Sequence, residues 1–203
     1  MKNRVLMAMT MAMAIQTGCL EAADSNTVTV YLENGLSPVD QFFVRDTASK
    51  MFETAGVKMM WRTGEPSPSA VAEENPIVIR FSFQTAAADH PGALAFALPY
   101  EGVHITIFYD RIRTNSARQT RAVLAHVLVH EITHILQGVA RHSDTGVMKA
   151  KYSSRDYMEM TWHPLPFTST DIELIQKGVS DRVVILANAK ASASRDTAAE
   201  VRK

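Results

Sequence analysis

The sequence contains one cysteine, Cys19, among 203 residues. A single thiol cannot form an internal disulfide and cannot build a cysteine-rich metal site, so neither stabilises this chain. No apolar run reaches the roughly 18–20 residues that cross a bilayer, and we therefore predict no transmembrane segment. Basic and acidic side chains are equal in number, at 21 each. This balance argues against a nucleic-acid partner attracted by a broad basic field.

Hydrophobic residues make up 46% of the chain and charged residues 21%, which is typical of a globular domain. The first 23 residues have a different pattern. Lys2 and Arg4 precede an apolar stretch at residues 5–15, and small residues follow up to Ala22 and Ala23. This order predicts a signal peptide over residues 1–23 and a secreted, extracytoplasmic protein. The alternative is a short buried helix.

Cys19 lies inside this segment. The residues Gln16-Thr17-Gly18-Cys19 resemble the cleavage box of a bacterial lipoprotein. Lipid anchoring through Cys19 is therefore an alternative to plain secretion, which we favour because Gln16 replaces the usual apolar residue. If Cys19 is removed with the signal peptide, the mature chain contains no thiol.

The rest of the chain predicts a mixed α/β (α+β) domain over residues 24–186, with helices packed on one sheet. Alternation of apolar residues predicts strands, and 3.6-residue periodicity between capping signals predicts helices. The strands are expected at 27–32, 57–61, 77–83, 93–98 and 103–109, and the helices from 38 to about 55, from 116 to 137 and from 170 to about 179. Residues 63–75 and the stretch between the last two helices are expected to be loops. Residues 187–203 are predicted to be a loosely ordered tail.

The most informative segment is His130-Glu131-Ile132-Thr133-His134, an H-E-x-x-H pattern. Four helical residues advance 400°, so His130 and His134 lie on one face, one turn apart. Two imidazoles in this arrangement can bind one Zn²⁺. Glu131 would then act as general base on a water that the metal has acidified.

The surroundings of the pattern support this interpretation. The predicted helix is apolar nearly all round, and burying a carboxylate and two imidazoles without partners is costly. A metal ion would provide the partner, whereas three residues at a locally exposed helix end would need none. His142 is the preferred third ligand, because Gly138 would let the chain leave the helix and turn back towards the metal. The competing ligands are His163, Glu159 and Glu173.

The run HEITHILQGVARHSDTGVM, residues 130–148, resembles the zinc signature of the metzincin metallopeptidases, and within them the matrixin-like pattern. The resemblance implies that His130, His134 and His142 bind Zn²⁺, that Glu131 is the general base, and that Met148 supports the metal site from a turn beneath it. It also implies a zincin-like fold with a buried active-site helix and a C-terminal helix. The chain differs from the pattern by a two-residue insertion before His142 and by Thr133 in place of a glycine.

In metzincins a substrate strand pairs with the edge strand of the sheet. The resemblance therefore implies that Ala93, Leu94, Ala95, Phe96 and Ala97 bind a peptide through their main chain. The alternative is a plain edge strand of the core. Tyr152 is expected to be a packing or surface residue, and His126 a core histidine or a partner of a ligand.

The sequence thus predicts a secreted zinc-dependent metalloendopeptidase that acts on peptides or proteins. Two alternatives stay open. One is a non-catalytic zinc-binding or interaction protein on a peptidase scaffold, and the other is a zinc hydrolase with a downstream glutamate as third ligand. No pattern specifies an oligomeric state.

Overall fold

A computed structural model describes the backbone of residues 26–200 and the side chains of residues 26–195. The predicted signal peptide and Cys19 lie outside the described residues, so export and lipid anchoring stay predictions. The elements follow one another in the order β1 (Thr27–Leu32), α1 (Pro38–Glu53), β2 (Lys58–Thr63), α2 (Pro68–Glu74), β3 (Ile77–Ser82), β4 (Ala95–Ala97), β5 (His104–Phe108), α3 (Tyr109–Ile112), α4 (Ala117–Gln137), α5 (Ser154–Met160) and α6 (Ser169–Glu200). Among these described helices, none is both long and apolar enough to cross a membrane.

The five strands form one mixed sheet in the order β2-β1-β3-β5-β4. The first four are parallel, and β4 runs antiparallel to β5 at the edge. The predicted mixed α/β domain is therefore confirmed. The edge strand is shorter than the predicted 93–98, but its pairing extends further. Phe108 N donates to Leu94 O (2.9 Å), and Leu98 N donates to His104 O (3.3 Å).

Helix α4 forms the centre of the core and packs against α1 and α6. The Ser116 hydroxyl accepts from the backbone N–H of Gln119 at its first turn, and Gly138 ends it in the left-handed conformation, with φ of 65°. Both boundaries agree with the sequence prediction. Most side chains of α4 are buried, including those of His126, His130 and His134, so the helix carries its polar groups inside the domain.

Two short helices lie in stretches that we predicted to be loops. In α2, Ser67 caps the first turn and Pro68 occupies the first helical position, while Asn75 ends the helix in the left-handed conformation. In α5, Ser153 and Asp156 form a reciprocal capping box. Each helix has only seven residues, too few for an apolar periodicity to stand out. Their capping residues were the available signal.

The last helix also differs from the prediction. Helix α6 continues to Glu200, about twenty residues past its predicted end, so the segment predicted as a loosely ordered tail is helical up to that residue. The described side chains of residues 187–195 are all exposed. Alanine, lysine and arginine favour helix without tertiary contacts, which accounts for a helix that leaves the domain.

Candidate metal centre

His130 and His134 lie on one face of α4, and their side chains converge. Their Nε2 atoms are 3.0 Å apart, and both side chains are buried. The other ring nitrogen of each is fixed by a backbone carbonyl. His130 Nδ1 lies 2.9 Å from Val147 O, and His134 Nδ1 lies 3.1 Å from Val139 O. A carbonyl only accepts hydrogen bonds, so both Nδ1 atoms carry the proton.

This choice of tautomer leaves both Nε2 atoms as bare acceptors that face each other at 3.0 Å. Two lone pairs in that position repel unless a cation lies between them. Protonation of one imidazole at neutral pH would not readily remove this repulsion, since burial lowers the pKa of His130 to about 4 and also lowers the pKa of His134. The pair therefore fits a metal ion, and neutral imidazole is a preferred zinc ligand.

His142 completes the group. Its ring centroid lies 5.3 Å from that of His130 and 5.0 Å from that of His134. One ligand nitrogen from each of the three histidines lies within 4.8 Å of the others. In the described part of the chain no other group of three or more potential ligands is brought together, so Glu159, Glu173 and His163 are not part of the cluster. The three histidines are able to hold one metal ion, and the donor set suits zinc.

The exposed His142 is held in place by the residues on either side of it. Arg141 Nη1 donates to Asp171 Oδ1 (2.7 Å), and the Ser143 hydroxyl donates to the same oxygen (2.8 Å). Ser143 N also donates to Met148 O (2.8 Å). Asp171 is fully buried at the start of α6. His142 thus lies between two residues that are tied to the start of the C-terminal helix, and one of them is also tied to the turn at Met148.

Asp171 was not among the predicted site residues. Its second carboxylate oxygen accepts from Thr168 N (3.0 Å) and from the Thr168 hydroxyl (2.7 Å). Burial alone would raise the pKa of Asp171, but the hydrogen bonds from Thr168, Arg141 and Ser143 lower it overall. Asp171 is therefore ionised. The capping sequence of α6, in which Thr168 is followed three residues later by Asp171, was the available signal.

A turn lies beside His130 and includes the predicted support residue Met148. The Val147 carbonyl accepts from His130 Nδ1 and, at 2.6 Å, from the Tyr152 hydroxyl. Met148 itself is fully buried. Burial raises the pKa of Tyr152, so its hydroxyl stays a donor. Tyr152 helps to orient the carbonyl that holds His130, a role beyond the packing or surface position that we expected from the sequence. The supporting role of Met148 stays a prediction.

Glu131 lies beside the histidine cluster at the wall of a cavity of about 560 Å³. All three histidines line the same cavity, together with Tyr152 and Tyr157. Burial raises the pKa of Glu131 to about 7. A carboxylate whose pKa is close to neutral is suited to accept and return a proton. The site therefore combines a metal-binding group, a carboxylate and space for a ligand.

The same cavity is also lined by Ala93 and Leu94, which lead into β4, and by Ala95, its first residue. Leu94 and Leu98 bond to β5, so in the alternating antiparallel ladder Phe96 also faces β5. The backbone groups of Ala95 and Ala97 then face the open edge of the sheet. The structure thus places the predicted substrate-binding strand beside the histidine cluster. Its binding role stays a prediction.

Two further polar residues of α4 are satisfied inside the protein. His126 accepts from Leu165 N at Nε2 (2.9 Å), and its Nδ1 lies 2.7 Å from Ala122 O. It is a core histidine, one of the two interpretations left open. The Thr133 hydroxyl donates to Val129 O (2.7 Å), which removes the cost of burying it. Neither residue leaves an unpaired polar group that needs a metal.

No protein-family model matches the chain, and no curated protein matches it. Solved structures that are similar to it include two archaemetzincins. Archaemetzincin from Methanopyrus kandleri is 15% identical with a TM-score of 0.56, over 79% of this chain and 99% of that one. Archaemetzincin from Archaeoglobus fulgidus, in complex with malonate, is 15% identical with a TM-score of 0.50, over 73% of this chain and 100% of that one. The chain has the zincin-like fold of the archaemetzincins, and the finer matrixin-like resemblance stays a prediction.

Proposed function

We propose that this protein is a zinc-dependent metallopeptidase in which Glu131 is the general base. The observation that carries the proposal is the pair of unprotonated Nε2 atoms of His130 and His134, which face each other at 3.0 Å beside Glu131. The fold, shared with the archaemetzincins, supports a metallopeptidase-like activity. The open cavity supports a catalytic site, because a purely structural zinc site is closed by a fourth protein ligand.

A bound Zn²⁺ would supply Lewis-acid chemistry that acidifies water and polarises the scissile carbonyl. The side chains of the protein would hold the ion and transfer the protons. His130, His134 and His142 would hold the ion, and the Glu131 carboxylate would take a proton from the attacking water. Glu131 would then deliver that proton to the leaving nitrogen as the peptide C–N bond breaks. Burial raises the pKa of this carboxyl to about 7 in the metal-free site, and the positive charge of a bound ion would lower it again and keep the carboxylate able to accept the proton.

The substrate would bind as an extended strand along β4. The open-edge groups of Ala95 and Ala97 offer an N–H and a C=O each, and this part of the sheet borders the cavity that contains Glu131. Main-chain pairing accepts many sequences, so side-chain preference would come from the cavity. We therefore propose a peptide or an extended protein segment as the substrate.

The test is cleavage of a mixed peptide library by the full chain, with zinc added. We expect cleavage by the wild type, loss of cleavage after chelation, and recovery when zinc is restored. Glu131→Ala should retain zinc and lose at least about 100-fold in rate, the contribution typical of a general base. Glu173→Ala is the matched control, because Glu173 is an exposed glutamate outside the histidine cluster. It should cleave like the wild type.

The alternatives predict different results. A folded, zinc-loaded wild type that cleaves no peptide would contradict the proposal and favour a non-catalytic zinc-binding protein. Loss of zinc and activity in Glu173→Ala would instead favour a glutamate-ligated hydrolase. Cleavage by Glu131→Ala at near the wild-type rate would show that Glu131 is not the base.

We also propose that the protein is exported, on the pattern of its first 23 residues. The sequence of the N-terminus of the protein recovered outside the cytoplasm tests this directly. A start near Ala23 or Asp24 would support secretion by an ordinary signal peptide. A lipid-modified Cys19 at the N-terminus would support anchoring, and an intact Met1 inside the cell would contradict export.

A further inference from the structure

The cavity wall next to β4 belongs to a loop that has little core of its own. We define the rim loop as residues 83–94, which connect β3 to β4 without helix or strand. Most of its side chains are exposed, and several are alanines. Burial of apolar surface therefore contributes little to its order. Its last four residues, Pro91 to Leu94, nevertheless line the cavity that contains the histidine cluster.

The rim loop is held by two neighbouring residues of α3. Asp110 accepts from Thr85 N (3.0 Å) and from the Thr85 hydroxyl (2.8 Å) at the beginning of the loop. Arg111 binds the rest of the rim loop through its backbone carbonyls. Its Nη1 donates to the carbonyls of His90 and Ala93, both at 2.9 Å, and its Nη2 donates to the carbonyls of Ala86 (3.1 Å) and Asp89 (2.7 Å).

Arg111 is fully committed to this loop. The two terminal nitrogens of a guanidinium carry four N–H groups, and all four have a carbonyl acceptor in the rim loop. The guanidinium also lies 4.5 Å from the ring centroid of Phe108, which fixes its plane. Lysine could not replace it, since a single ammonium carries three N–H groups and has no planar fork.

The loop has to be held in this way because part of its backbone is strained. His90 has a φ of 43°, which is unusual for a residue other than glycine. Its ring stacks on Phe96 of β4, with centroids 4.1 Å apart. The conformation at His90 therefore couples the loop to the edge strand. Without Arg111, the strain at His90 would favour rearrangement of the loop.

Arg111 also determines where the open sheet edge begins. Ala93 N donates to His90 O (3.0 Å), and Ala93 O accepts from Arg111. Both backbone groups of Ala93 are thus occupied within the loop. The stretch of β4 that can pair with a substrate begins at Ala95, immediately after the segment that Arg111 fixes.

From this geometry we infer that Arg111 is a positioning residue for substrate binding. It holds the rim loop so that the wall of the cavity and the open edge of β4 are already in their binding arrangement. The inference rests on the proposed peptidase function. Without Arg111, substrate binding would have to order the rim loop, and the cost of that ordering would weaken binding. The chemical step at the metal would be unaffected.

The experiment compares Arg111→Met and Arg111→Lys with the wild type in the full, zinc-loaded chain. Arg113→Met is the matched control, since Arg113 is an exposed arginine two residues further along. Two measurements are made. One is hydrogen exchange of the backbone amides of residues 86–90 and 92–94. The other is the KM and kcat for a peptide that the wild type cleaves in the library.

We expect both Arg111 variants to exchange the rim-loop amides faster, and to raise KM by about tenfold or more with kcat within about twofold. Arg113→Met should match the wild type. A fold defect alone would lower kcat through the active fraction and leave KM unchanged. Unchanged loop exchange, an unchanged KM, or wild-type behaviour of Arg111→Lys would each overturn the inference. Absence of cleavage by the wild type would contradict the proposed function, whereas hydrogen exchange reports on Arg111 independently of it.

Discussion

Replacement of Asp171 by asparagine should weaken both folding and metal binding. Asp171 is fully buried and accepts four hydrogen bonds, from Arg141, from Ser143 and twice from Thr168. Asparagine has nearly the same shape, but only its oxygen accepts. Its amide nitrogen must face either Arg141 and Ser143 or the N–H of Thr168. In either orientation, an N–H group of the amide then faces another hydrogen-bond donor.

The magnitude follows from these contacts. Breaking a buried ion pair by removing one partner costs about 3–5 kcal/mol. The Arg141 side chain is 35% exposed and can turn to solvent, so we expect the lower end, about 3 kcal/mol. Because Arg141 and Ser143 flank His142, the zinc affinity should also fall by about 10–100-fold, as it does when an outer partner of a ligand is lost.

The assay has two parts. Urea unfolding of the metal-free protein gives the loss in free energy of unfolding, and competition with a chelator gives the zinc affinity. Asp181→Asn is the matched control, because Asp181 forms an exposed ion pair with Lys177 on the same helix. Its effect should be below about 1 kcal/mol, with the zinc affinity unchanged. An unaltered zinc affinity in a destabilised Asp171→Asn would refute the positioning of His142 by this carboxylate.

Three further predictions concern other residues. Gly178→Ala should destabilise the protein by about 3 kcal/mol or more, because its Cβ would lie 1.6 Å from Leu136 O where α6 crosses α4; urea unfolding measures this. His142→Ala should reduce zinc affinity in the chelator assay by more than the loss of an outer partner does. Asp156→Asn should lose stability at neutral and mildly acidic pH but not in strong acid. The Lys149 ammonium, with hydrogen bonds from Ser153, lowers the pKa of Asp156 to about 2, so the wild-type advantage is full above about pH 5 and is lost progressively as the pH falls through 2.

Matched variants make these predictions specific. Ser180→Ala, at an exposed position of α6, should leave the free energy of unfolding almost unchanged, and a large effect there would mean that the helix tolerates no alanine. His163→Ala should bind zinc like the wild type, since His163 is outside the cluster; equal loss in both histidine variants would contradict the ligand assignment. A difference between wild type and Asp156→Asn that is as large at pH 2 as at pH 7 would contradict the ion pair with Lys149.

The histidine cluster could be predicted because the sequence features that indicate it lie close together along the chain. The spacing of His130 and His134 on an apolar helix is sufficient to place both rings on one face, and the cap at Gly138 marks where the chain leaves. The strands could be predicted for the same reason, since alternation over five or six residues is visible without tertiary contacts. The third ligand needed more than spacing, because Glu159, Glu173 and His163 were all within reach along the chain.

The parts that escaped prediction depend on contacts between distant residues. Asp171 acts on His142 through two residues about 30 positions earlier, and Arg111 acts on carbonyls up to 25 positions earlier. Neither has a local pattern beyond the capping signal at Thr168. The end of α6 was misplaced for the opposite reason. Its extension depends on intrinsic helix propensity, whereas our prediction required an apolar face.

X-ray absorption at the zinc edge of the purified protein tests the central claim most directly. We expect one zinc per chain, with three imidazole nitrogens at about 2.0–2.1 Å and at least one additional oxygen from solvent. In His142→Ala, the bound fraction should show one imidazole fewer. A first shell with only two imidazoles in the wild type, or with protein carboxylate as the third ligand, would contradict the three-histidine centre.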